Sequence, residues 1–78
     1  MVAVQDLLYN ALEHEAQSNI NKAEATIEIY FNNPSGIGEH PQHLEEMAKL
    51  LDVISQNEDR LTILKKYFSD YNEGIGNT

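Results

Sequence analysis

The sequence predicts an all-α fold: two long antiparallel helices forming a hairpin, which dimerises into a four-helix bundle. Three observations predict it. Strong turn signals are confined to one interior stretch, Asn32-Asn33-Pro34-Ser35-Gly36-Ile37-Gly38-Glu39-His40-Pro41, where proline, glycine and asparagine cluster. On either side about thirty residues run free of Gly and Pro. Both of those runs repeat their apolar residues at helical spacing, and neither shows the period of two that a strand needs. The chain therefore reads as one domain: a helix over about 3–32, a loop over about 33–40, a helix over about 41–71 and a flexible tail over 72–78.

In the first segment Leu8, Leu12, Ala16, Ile20, Ala23, Ile27 and Tyr30 step by 4, 4, 4, 3, 4 and 3. At 3.6 residues per turn they fall on one face. Asp6, Glu13, Gln17, Lys22, Glu24 and Glu28 are expected on the opposite, solvated face. This helix should end at Asn32 or Asn33, because Asn tolerates a left-handed C-cap and Pro34 cannot continue a helix. In the loop, Gly36 and Gly38 are expected to supply positive φ, with Ile37 covering the end of the bundle.

The second helix has a clear start. The residue before a proline is pushed out of the α region, so His40 suits a cap. Pro41 suits the first turn, where a missing N–H is no loss. Glu45 and Glu46 lie near the positive end of the helix dipole, and Lys65 and Lys66 near the negative end. Leu44, Met47, Leu51, Ile54, Glu58, Leu61, Lys65 and Phe68 step alternately by 3 and 4, a heptad seam with two charged interruptions. A second stripe, Leu50, Ile54, Asn57, Leu61, Leu64, Phe68 and Tyr71, runs beside it.

A turn centred near Ile37 pairs residue i with roughly 72 to 74 minus i, so Ile27 should face the Leu44–Met47 region, Leu12 should face Leu61 and Leu8 should face Leu64. Small Ala16 and Ala23 should let the helices approach closely. Polar residues meet at mid-length, where Glu15 or Asn19 faces Asn57 and Glu58. A buried polar layer there would fix register and oligomer number; a solvated waist is the plainer alternative. Two adjacent apolar stripes make a face wider than one partner helix covers, and domains of this size seldom hold together on a single core. Self-association as a homodimer is the expectation, with Leu8, Leu12, Ile20, Ile27, Leu44, Met47, Leu51, Ile54, Leu61, Leu64 and Phe68 in the core or the oligomer interface.

Composition narrows function by exclusion. The 78 residues contain no cysteine and carry 13 acids against five bases, a net charge of -8. A disulfide framework, a cysteine nucleophile and a thiolate metal site are excluded. Nucleic-acid and anionic-membrane binding need a basic surface that the chain lacks. No apolar run is long enough to cross a membrane, and the first residues lack a basic, apolar leader. A cytoplasmic location is therefore expected. The charge is spread evenly, at -4 for residues 1–38 and -4 for residues 39–78.

His40, His43, Glu39 and Glu46 cluster at the start of the second helix, and His43 and Glu46 have the i, i+3 spacing of some helical metal sites. Only one turn contributes and no second such motif exists, so capping and solvated roles are the expectation and no cofactor is assigned. His14 lies between Glu13 and Glu15, but neighbouring residues do not share a helix face. Gly36-Ile37-Gly38 does not join a strand to a helix and is no phosphate cradle. No catalytic constellation emerges, and the chain is read as a non-enzyme. Tyr30-Phe31 before Gly36-Ile37-Gly38 is echoed by Tyr67-Phe68 before Gly74-Ile75-Gly76. In a head-to-tail pair of hairpins, Ile75 of one copy could dock near the loop of the other.

The stretch from Tyr30 to Pro41, followed by an acidic Leu-rich helix ending Leu64-Lys65-Lys66-Tyr67-Phe68, resembles a set of small proteins of marine tailed phages. Their loop reads Asn-Pro-x-Gly-Ile-Gly-Glu-His. The resemblance covers the chain from about Ala23 onward. It implies a phage source, in the cytoplasm of an infected host; the helix length, the wide apolar face and the absence of catalytic motifs are what suggest an adaptor, an assembly component or a modulator of a host protein. It implies no catalytic residues. A second possibility rests on charge alone: an acidic decoy that occupies a basic nucleic-acid-binding surface.

Overall fold

The structure is a computed structural model that describes residues 3–33 and 41–72. Two helices of equal length, α1 (Val4–Phe31) and α2 (Pro41–Phe68), pack antiparallel along their lengths, and a short 3₁₀ turn (Ser69–Asn72) continues α2. The all-α hairpin predicted from the periodicity is the observed fold, and the described residues contain no strand. The molecule is a rod of 54 × 19 × 18 Å with a radius of gyration of 16.8 Å. A compact chain of this length would have a radius of about 11.5 Å. The loop residues Pro34, Gly36, Ile37, Gly38 and His40, and the tail with Ile75, lie outside the described residues.

Local chemistry sets the helix ends. Ala3 is extended (φ -71, ψ 154) and precedes α1 without a side-chain cap. Its carbonyl accepts from the amides of Asp6 and Leu7 at 3.0 and 3.2 Å. Asp6 puts a carboxylate in the first turn, near the positive end of the dipole. At the other end Asn32 closes α1 with φ -85 and ψ 0, so Asn32 itself is right-handed. The amides of Asn32 and Asn33 donate to the carbonyls of Glu28 and Tyr30, at 3.0 and 3.2 Å. Helix α2 opens at Pro41 and carries Lys65 and Lys66 in its last turn.

The inter-helix seam follows strict heptad spacing. On α1 its positions are Asp6, Tyr9, Glu13, Ala16, Ile20, Ala23, Ile27 and Tyr30, all buried or half-buried. On α2 they are His43, Met47, Leu50, Ile54, Asn57, Leu61 and Leu64. These steps of 3 and 4 are what a left-handed pair of helices requires. The sequence reading of α1 differs in its first half. Three successive steps of four carry a stripe round the helix by about 40° each, so Leu12 and Leu8 swing away from the line set by Ala16. Asp6 and Glu13, assigned to the solvated face, take the seam positions instead. On α2 the second stripe, not the first, faces α1. Leu44, Leu51, Glu58 and Lys65 form an exposed flank beside it.

Near the loop the register is the one expected: the rings of Tyr30 and His43 pack with centroids 5.4 Å apart, a pair summing to 73. Asn19 meets Asn57, as anticipated, and Lys65 Nζ lies 4.0 Å from Glu13 Oε2. These pairs sum to 76 and 78, so contacts farther from the loop drift a few residues beyond 72 to 74. Ala16 and Ala23 are each only 3% exposed, at the close approach their size permits.

Candidate interaction surface

The surface can be built from the seam outward. Because two acids and one tyrosine occupy the seam in the first half of α1, the leucines there are displaced onto its flank. Leu8 is 61% and Leu12 56% exposed. On α2, Ile63 and Phe68 stand 51% and 47% exposed. At the open end of the hairpin, where α1 begins and α2 ends, these side chains border a groove of about 490 Å³ with Tyr9 and Tyr71. Gln5 and Arg60 supply its polar edge. Tyr67, Phe68 and Tyr71 form an aromatic run, with successive centroids 6.4 and 6.5 Å apart. Lys66 Nζ sits 5.2 Å from the Tyr67 ring centroid.

The opposite flank has different chemistry. Gln17, Glu24, Glu58, Asp59 and Thr62 line a polar depression of about 590 Å³ midway along the rod. The Glu13–Lys65 pair borders the same side. One and two heptads earlier on α2 this flank turns apolar at Leu51 and Leu44, 58% and 60% exposed. The two flanks thus differ at the open end and at mid-length, although exposed apolar side chains such as Ile29 and Val53 also occur toward the loop end of the groove side.

Between them lies the polar layer. Asn57 is 4% exposed. Its Oδ1 accepts from Asn19 Nδ2 at 3.1 Å, and its own Nδ2 donates to the Val53 carbonyl at 2.7 Å. Asn19 and Asn57 were among the residues expected to meet here; Glu15 and Glu58 are exposed instead. Among the described residues, Tyr9 is the one group with a displaced titration. Burial, then the nearby Glu13 carboxylate, pushes its hydroxyl above the ordinary value of 10.0.

The residues read from the sequence as core or interface therefore separate into two sets. Ile20, Ile27 and Met47 are buried within the single chain, and Ile54, Leu61 and Leu64 are half-buried. Leu8, Leu12, Leu44, Leu51 and Phe68 are exposed. The seam residues missed were Asp6, Tyr9 and Glu13; the heptad spacing of Ala16, Ile20, Ala23 and Ile27, extended backwards, would have found them. Among the described residues, no three His, Asp or Glu side chains are grouped to hold a metal ion. His43 is half-buried against Tyr30. No described helix is long and apolar enough to cross a membrane. Comparison with protein-family models, curated proteins and solved structures finds no match to the chain.

Proposed function

We propose that this chain is a non-enzymatic helical interaction module that works as a homo-oligomer, most simply a dimer of hairpins. One observation carries the reading: the leucines at positions 8, 12, 44 and 51 lie outside the seam and are 56–61% exposed. The seam spends several positions on alanines, an asparagine pair and two acids, while these leucines face outward. Burying those side chains against another helical surface is worth about 25 cal/mol per Å². Exposed apolar clusters of this kind mark interaction sites. Two long helices with exposed apolar side chains suit an adaptor, an assembly component or a modulator of a host protein, and the resemblance to small phage proteins would place it in the cytoplasm of an infected cell.

Sedimentation velocity across a hundredfold range of concentration, at low and moderate salt, tests this reading. The expected result is a reversible dimer that strengthens with salt, because each copy carries -8 and screening relieves their repulsion. A folded monomer at every concentration would remove the proposal. The acidic-decoy reading draws on Glu24, Glu58 and Asp59 along one flank. It predicts the opposite salt response, namely capture of a basic protein that weakens as salt rises.

A further inference from the structure

We infer that the open-end groove is the self-association surface, and that a second copy of the same chain fills it about a two-fold axis passing near Leu8 and Leu12. The inference rests on the self-association proposed above and specifies where it occurs. Area is the first argument. The chain exposes 5949 Å², whereas a compact monomer of 8.9 kDa exposes about 4,800 Å². The excess of about 1,100 Å² exceeds the roughly 800 Å² that each partner contributes to a standard interface.

Shape and side-chain type place that interface at the open end. The groove there is concave, and Leu8, Leu12, Ile63, Phe68 and Tyr71 line it continuously from both helices. The apolar residues of the other flank, Leu44 and Leu51 on α2 with Phe31 of α1 one heptad beyond Glu24, stand beside a depression edged by Glu24, Glu58 and Asp59. A two-fold axis through the groove lays leucine, isoleucine and aromatic side chains of one copy on those of the other. On the opposite flank, carboxylates would meet carboxylates.

Charge is the second, independent argument. Arg60 edges the groove and, among the described residues, makes no ion pair. An arginine beside an apolar groove fits an occupant that brings a carboxylate. A second copy does so. The register set by Glu13–Lys65 and Asn19–Asn57 puts Arg60 about 10 Å from the axis, on the side over which the partner's open end lies. The partner's Asp70, exposed in its 3₁₀ turn, comes within reach of the guanidinium there.

Equilibrium sedimentation of the full chain and five variants, each checked for helicity by circular dichroism, tests the inference. Leu12→Lys and Ile63→Lys should each weaken the dimer at least a hundredfold, while Leu51→Lys leaves it within threefold of wild type. Arg60→Glu should weaken it about tenfold, and adding Asp70→Lys should restore most of the loss. A wild-type dimer broken by Leu51→Lys and untouched by Leu12→Lys and Ile63→Lys would overturn this surface and leave self-association standing. An unchanged Arg60→Glu dimer, or a double variant weaker than Arg60→Glu alone, would overturn the assigned two-fold arrangement. A wild-type monomer would overturn both the surface and the reading on which it rests.

Discussion

Two side chains in the seam control more than their size suggests. Asn57 is buried and uses both ends of its amide, one toward Asn19 and one toward the Val53 carbonyl. Asn57→Ala should cost about 1–2 kcal/mol, read as a lower urea midpoint at fixed protein concentration. Asn19→Leu with Asn57→Leu should recover or exceed wild-type stability, because an apolar layer needs no partners. It should also broaden the distribution of oligomers seen by sedimentation, since one buried amide pair often fixes association number. Tyr9 controls alkaline stability. Burial and Glu13 raise its hydroxyl above 10.0, so above that pH the folded state keeps a proton that the unfolded chain releases. Stability attached to Tyr9 is complete below pH 10 and falls as pH rises from there through the raised folded value. Urea midpoints measured from pH 8 to 11 should fall less steeply for Tyr9→Phe than for wild type.

At the scale of the element, α1 begins without a cap and touches α2 through alanines. Ala3 is exposed, extended and offers no side-chain acceptor. Ala3→Asp should bond a free amide of the first turn, complement the dipole and raise stability by about 1 kcal/mol, measured by thermal or urea unfolding. Ala16→Leu and Ala23→Leu should each lower stability by about 1–3 kcal/mol, because the close approach leaves no room. The same elements show how far the sequence could be read. Helix number, antiparallel pairing, the start at Pro41 and the burial of Ile20, Ile27 and Met47 follow from periodicity and from the rigidity of proline. The seam in the first half of α1 does not, since a hydrophobic count prefers Leu8 and Leu12 to Asp6 and Glu13. A pair of supercoiled helices selects positions by a repeat of 3.5 before it selects them by polarity. Where repeat and polarity disagree, the repeat places the seam and the apolar residues are left for another surface. The register counted outward from Ile37 holds at Tyr30 and His43 and drifts by a few residues at Asn19–Asn57 and Glu13–Lys65.

The whole molecule is long, thin and acidic, and its shape makes the mode of assembly measurable. Two hairpins overlapping along their full length would form a bundle hardly longer than the 54 Å rod itself. A two-fold axis at Leu8 and Leu12 would lie close to the open end, so the copies would overlap by only about 20 Å at 1.5 Å per residue. Their loop ends would then point apart, and the dimer would measure about 85–90 Å along its axis, with the polar flanks and both pairs of Leu44 and Leu51 left accessible. Small-angle scattering of the dimer separates the two arrangements. A maximum dimension near 85–90 Å is the expected outcome for the open-end pairing, and one near 55–60 Å would mean complete overlap. The distinction bears on function. Complete overlap would cover at least one whole face of each hairpin. The end-to-end arrangement joins two copies through the groove and presents Leu44 and Leu51 at both extremities, as a bivalent adaptor requires. Leu44→Lys and Leu51→Lys should then leave the scattering length unchanged while abolishing binding of any partner held at those ends.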